Sequence, residues 1–136
     1  MAFLIDTDII IYSLKGDARV NRWLRKNDTI PKEISVITYG ELIYGARKSQ
    51  HPEKNLATVK RIGEIFPVVE ISKGIMEVFG ELKSRLEKTG ARLDDMDSII
   101  AATALYMNHT LVTNNTKHFS RIPDLVLEDW RKEPNP

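Results

Sequence analysis

The chain has 136 residues, 42% hydrophobic and 29% charged, with a formal net charge of +1 and no cysteine. This describes one ordinary globular domain, able to bury roughly two-thirds of its unfolded surface. It excludes a disulfide framework, a cysteine nucleophile and a thiolate metal site, and the near-neutral charge means that any grip on nucleic acid must come from a local basic patch.

The chain opens Met-Ala-Phe-Leu-Ile-Asp, with no basic start and an early acid, which does not fit a signal peptide. No apolar run is long enough to span a bilayer, so the expectation is a cytoplasmic protein with no membrane partner. Short apolar stretches at residues 2–5, 34–37, 66–71 and 110–112 are predicted strands, each bounded by polar or turn residues. Helical spacing joins Val59, Ile62, Ile65 and Phe66, and again Ile75, Val78, Phe79, Leu82 and Leu86, with Gly90 as the stop. Residues 99–105 combine good helix formers with small side chains that let a helix lie close against a sheet. Only residues 132–136 look loose. Strands alternating with helices imply right-handed crossovers and a parallel sheet covered on both faces, with its functional crevice past the carboxyl ends of the strands.

Three acids fall where that rule points. Asp6 directly follows the first strand, with Asp8 two residues on; Glu41 follows the strand ending at Ile37; Asp97 stands at the mouth of the Ala-rich helix. Hard divalent cations such as Mg²⁺ take oxygen ligands, use one or two carboxylates directly and leave room for substrate phosphate. A cation also removes the repulsion among clustered acids and can acidify a water for phosphodiester hydrolysis. Each acid alone also fits a helix cap: Asp6 or Asp8 for a helix near Ile9, Thr38-x-x-Glu41 as a capping box, and Asp94, Asp95 and Asp97 for the third helix. Spacing does not separate the two readings.

Four blocks, in order, are similar to those of PIN-domain ribonucleases, and more closely to the toxin ribonucleases of the VapBC toxin–antitoxin type. They are Leu4-Ile5-Asp6-Thr7-Asp8-Ile9, then Ser35-Val36-Ile37-Thr38-Tyr39-Gly40-Glu41-Leu42-Ile43-Tyr44-Gly45-Ala46, then Asp97-Ser98-Ile99-Ile100-Ala101-Ala102, then Leu111-Val112-Thr113-Asn114-Asn115-Thr116 followed by Phe119 and Arg121. The ending Leu127-Glu128-Asp129-Trp130 is similar too. The resemblance implies an α/β/α sandwich over residues 1–131, with a central, mainly parallel sheet of four to five strands. It implies a Mg²⁺ site, with Mn²⁺ as a substitute, in which Asp6, Glu41 and Asp97 are both catalytic and metal-binding. Asp8, Thr113, Asn115 and Arg121 are the candidates for positioning water or substrate. The implied activity is endoribonucleolytic attack of a metal-activated water on structured RNA, tRNA in particular, leaving 5′-phosphate and 3′-hydroxyl ends. The implied partners are a VapB-type antitoxin and a second copy of the chain. The chain departs from the family pattern twice: Asn115 and His118 stand where a fourth acid is often found, and Asp8 stands where Asn is usual.

Arg19, Arg22, Arg25 and Lys26 read as a solvated helix face, whereas Arg47–Lys48, Lys117–His118 and Arg121 fit either a solvated face or an RNA patch. His51, His109 and His118 lack metal-ligand spacing and are expected at the surface or in loops. Tyr44 and Phe119 are expected to pack in the core rather than stack on bases. Val78, Phe79, Leu82 and Leu86 fit a core face or a partner surface equally. Three rival functions are a haloacid-dehalogenase-like phosphatase, from Asp6-Thr7-Asp8, a receiver-like module with an acidic Mg²⁺ pocket, which residues 50–60 disfavour by reading as a polar helix, and a catalytically inactive PIN-fold RNA-binding protein.

Overall fold

The computed structural model describes residues 2–132. In chain order the elements are β1 (Phe3–Ile5), α1 (Thr7–Leu14), α2 (Ala18–Lys26), β2 (Lys32–Ser35), α3 (Val36–Arg47), α4 (Pro52–Ile65), β3 (Val68–Val69), α5 (Lys73–Lys88), α6 (Asp95–Met107), β4 (Thr110–Val112), α7 (Thr116–Phe119) and β5 (Leu127–Glu128). The five strands form one sheet in the order β3-β2-β1-β4-β5, and every neighbouring pair is parallel. The expected α/β/α sandwich with a parallel sheet is therefore the observed fold.

Side-chain alternation divides the core into two layers. Phe3 and Ile5 of β1 and Val112 of β4 face one cluster with Ile9, Ile10, Val20, Leu42 and Val59, drawn from α1 to α4. Leu4 and Leu111 face the other, with Leu82 and Leu86 of α5, Ile100, Ala101 and Ala104 of α6, and Phe119. A period of two in the strands makes this division automatic. The small residues of α6 let it lie close on Leu4 and Leu111. The chain winds outward through β1, β2 and β3, then returns to the far side of β1 to form β4 and β5. Right-handed crossovers place α1 to α4 on one face and α5 to α7 on the other. The winding reverses between β1 and β4, and their carboxyl ends open the crevice.

Several boundaries differ from the sequence expectation. The second strand lies at Lys32–Ser35 rather than 34–37, because Ser35 Oγ accepts the Thr38 N–H at 3.0 Å and caps α3. Val36 and Ile37 thus begin a helix, and Thr38 is not the cap. The third strand shrinks to Val68–Val69, since Phe66 ends α4 and Pro67 follows it. The short elements α7 and β5 carry no sequence periodicity long enough to foresee. β5 leads into Trp130, which is fully buried, edge-on to Phe3 at 5.1 Å and stacked on Trp23 at 5.9 Å. Trp23 Nε1 donates to the Lys132 carbonyl at 2.8 Å, so Lys132 belongs to the folded body. The rest of the expected tail, 133–136, lies outside the described residues.

One side chain corrects its expectation. Tyr44 is 65% exposed, with Lys48 Nζ 4.7 Å from its ring centroid, whereas Phe119 is in the core as expected. His109 lies in the loop between α6 and β4, as expected, and its Nε2 pairs with Glu33 Oε1. Leu82 and Leu86 are core residues, and Val78 and Phe79 are half-buried. Among the described residues no helix is long and apolar enough to cross a membrane.

Candidate active site

Asp6 is the residue at which β1 ends and α1 begins. Its extended backbone (φ −72°, ψ 158°) makes it the N-cap of α1, and its Oδ1 accepts the Thr7 N–H at 2.8 Å. Its other oxygen accepts the Thr113 hydroxyl at 2.8 Å, from the residue just past β4. One carboxylate thus bridges the two strands where the winding reverses. It is only 6% exposed, and burial, followed by the neighbouring charge of Asp8, pushes its pKa from 3.8 to about 7. The bonds from Thr113 and the Thr7 N–H oppose that rise, and the charge of Asp97 adds to it.

Asp8 lies two residues further, in the first turn of α1. Its Oδ2 accepts the Asn114 N–H at 3.0 Å. Its Oδ1 is buried and has no hydrogen-bond partner. Burial raises its pKa, against the pull of backbone N–H groups, and the charges of Asp129 and Asp97 raise it further. Asn114 Nδ2 reaches both oxygens of Asp129, at 3.3 and 3.1 Å, tying the end of β5 to the same loop. Asp97 stands in the first turn of α6 and is half-buried; burial raises its pKa, the charges of Asp94 and Glu41 raise it further, and His118 lowers it. Glu41 lies on α3 with an exposed side chain, and Thr7 Oγ1 donates to its Oε1 at 2.6 Å.

The structure therefore gathers Asp6, Asp8 and Asp97 within electrostatic range of one another, with Glu41 tied to Thr7 beside Asp6 and acting on Asp97. Thr113 is bonded directly to Asp6. Asn115 caps α7 without a side-chain bond to that helix, and its N–H donates to Thr113 Oγ1 at 3.0 Å. Arg121 is exposed, and its Nη1 donates to the Arg92 carbonyl at 2.9 Å, tying its loop to the one before α6. Three participants are not marked by sequence pattern: Thr7, Asn114 and Asp129. Thr7 and Asn114 lie within blocks similar to the family's, but nothing local in those blocks signals their contacts. Asp129 was legible only as part of a similar ending, and recognition of β5 as a strand would have placed it at a carboxyl end like Asp6.

Among the described residues no three acidic or imidazole groups form a ready-made cage around one point. Mg²⁺ does not require one, since it binds through one or two carboxylates and keeps several waters. The donor set suits that ion: oxygens only, with one carboxyl whose pKa burial pushes up to about 7 and another carrying an oxygen that lacks a donor. A buried acceptor without a partner calls for a cation or a proton.

The PIN domain family model matches residues 3–125. The ribonuclease VapC2 of Rickettsia felis is 38% identical over 136 residues, covering 97% of this chain and 100% of that protein. The tRNA(fMet)-specific endonuclease VapC of Shigella flexneri is 33% identical over 130 residues, covering 96% of this chain and 98% of that one. Among solved structures, VapBC2 from Rickettsia felis bound to a DNA fragment from its promoter superposes with a TM-score of 0.89 at 33% identity, over 96% of this chain and 99% of that one. With the acidic crevice at the β1/β4 reversal and these relatives matching along nearly their whole length, the chain belongs to the PIN-domain family, in its VapC ribonuclease branch.

Proposed function

We propose that this chain is a Mg²⁺-dependent endoribonuclease toxin that cuts structured RNA, tRNA above all, and is held in check by a VapB-type antitoxin. The observation that carries the reading is the buried Asp6 carboxylate at the β1/β4 reversal, with Asp8, Asp97 and Glu41 around it. Asp6, Glu41 and Asp97 are assigned as the groups that hold the cation, with Mn²⁺ as a substitute. When bound, a divalent cation supplies charge neutralisation at the phosphodiester and acidifies water. The chain's own residues do the rest. Thr113 and the Thr7 N–H fix Asp6, Asn114 fixes Asp8, and the exposed Arg47, Lys48 and Lys117 are assigned to the phosphates of the RNA.

The tRNA assignment follows the name of the Shigella relative. The antitoxin assignment follows the VapBC complex, and a groove of about 330 Å³ suits it. That groove runs between α1, α3 and α4, lined by Ile11, Leu14, Leu42 and Val59, with Glu41 also in its wall. The phosphatase alternative leaves Glu41 without a role, although Glu41 is bonded to the helix that Asp6 caps.

The test is cleavage of a tRNA transcript by wild type and Asp97→Asn, with Mg²⁺, with Mn²⁺ and with chelator. Wild type is expected to cut only with metal, leaving 5′-phosphate and 3′-hydroxyl ends, and the variant to fall to background. RNA binding with no metal-dependent cleavage in either protein refutes the enzyme reading in favour of an inactive RNA-binding domain.

A further inference from the structure

Glu41 presents a physical problem for any catalytic role. Its side chain is exposed, and it hangs from α3, in the βα unit next to the one that carries Asp6. A glutamate in that setting has three rotatable bonds and a broad terminal torsion, so by itself it samples many positions. The structure gives it one strong tether: Thr7 Oγ1 donates to Oε1 at 2.6 Å. Thr7 is the first residue of α1, between Asp6 and Asp8 in sequence, so the tether fastens Glu41 to the segment that carries those two acids.

The tether is itself braced. Thr7 Oγ1 lies 3.0 Å from Thr38 Oγ1, on α3 one turn before Glu41, and Thr38 is fully buried. Thr38 Oγ1 in turn lies 3.4 Å from Ser35 Oγ, the α3 cap, which is also buried. A hydroxyl carries one proton. With the Thr7 proton given to Glu41, the Thr7 oxygen faces Thr38 as the acceptor. The direction of the row is thereby set from the buried end of α3 outward to the carboxylate.

We infer that Thr7, backed by Thr38, is a positioning residue that orients Glu41 toward the crevice: its hydroxyl engages Oε1 and leaves Oε2 for the cation. The inference rests on the nuclease reading above and extends it to a side chain outside the acidic set. Hydrogen-bonding partners of metal ligands commonly affect metal affinity or activity by about 10- to 100-fold.

The experiment compares Thr7→Val, which removes the hydroxyl and keeps the shape, with Thr7→Ser, which keeps the hydroxyl. Thr7→Ala is a second hydroxyl-free variant in case valine folds poorly, with circular dichroism and thermal unfolding as the folding control. Mn²⁺ binding to the RNA-free protein is followed by electron paramagnetic resonance, and kcat and KM are measured on the tRNA transcript. Loss of the hydroxyl is expected to weaken Mn²⁺ binding and lower kcat by about 10- to 100-fold with KM little changed. Serine is expected to restore both to within about threefold. If Thr7→Val binds Mn²⁺ and cleaves like wild type, the inference is overturned while the nuclease reading stands. If serine falls as far as valine, the hydroxyl is not the cause and the inference is again overturned. Wild type that neither binds Mn²⁺ nor cleaves RNA removes the nuclease reading, and this inference with it.

Discussion

Replacing Asp6 by Asn tests how much stability the crevice gives up for its chemistry. The Asp6 carboxyl is 6% exposed, and its pKa stands at about 7 instead of 3.8, because burial and the charge of Asp8 outweigh the bonds from Thr113 and the Thr7 N–H. The folded protein therefore binds this proton more tightly than the unfolded chain does. The Asp6 contribution favours folding fully below about pH 4, declines as pH rises from there to about 7, and is lost above. At 1.36 kcal/mol per pH unit, ionising Asp6 in the fold costs ~4 kcal/mol when no cation is present. Asparagine removes that cost. It keeps an oxygen for the Thr7 N–H, and its amide meets the Thr113 hydroxyl, whose oxygen can accept. Imperfect replacement of the two bonds takes back ~1–2 kcal/mol. At pH 8 in chelator, Asp6→Asn is thus expected to be more stable by ~2 kcal/mol, a rise of roughly 8 °C in Tm for a domain this size. At pH 4 the advantage disappears. Urea and thermal unfolding at the two pH values measure it directly. Added Mg²⁺ is expected to raise the wild-type midpoint at pH 8 and leave the variant unchanged, while the variant loses RNA cleavage. A variant no more stable than wild type at pH 8, or equally favoured at pH 4, refutes the assignment of Asp6 as a strained, buried charge. Such a trade of stability for function is common at active sites.

Other perturbations follow from particular contacts. Asp8→Asn removes a charge that burial disfavours, keeping an oxygen for the Asn114 N–H and putting an amide nitrogen where the other oxygen lacks a partner; it is expected to raise the unfolding midpoint at pH 8 in chelator and to weaken Mn²⁺ binding, and a stable variant with unchanged Mn²⁺ affinity counts against any role for Asp8 at the cation. Trp130→Ala empties the space between Phe3 and Trp23 and is expected to cost ~3–5 kcal/mol by urea unfolding; a loss under 1 kcal/mol means that β5 is not fastened through this ring. Gly63→Ala places a Cβ 2.7 Å from Tyr39 Cε1. Alanine favours the helix by ~1 kcal/mol, but displacing a half-buried ring costs more, so a net loss of ~1 kcal/mol is expected in thermal unfolding. A stabilised variant shows that the ring moves freely.

Much of this protein is written in short-range pattern. The apolar runs at β1 and β4, the helical spacing in α4 and α5 and the small residues of α6 are local features, and burial on two faces is the one arrangement that satisfies all of them. Acids directly after β1 and at the mouth of α6 were legible as crevice residues for the same reason, since carboxyl ends of parallel strands share one edge. What the chain could not announce is set by partners distant in sequence. Ser35 ends β2 two residues early by capping α3, and a strand of two residues such as β5 exists only because β4 is there to pair with it. Tyr44 faces solvent and His109 meets Glu33 because tertiary packing, not residue type, decides which face of an element is covered. The link from Thr7 to Glu41 joins residues 34 positions apart. No periodicity records such a bond, because it exists only once the crossovers have brought α1 and α3 together above the sheet.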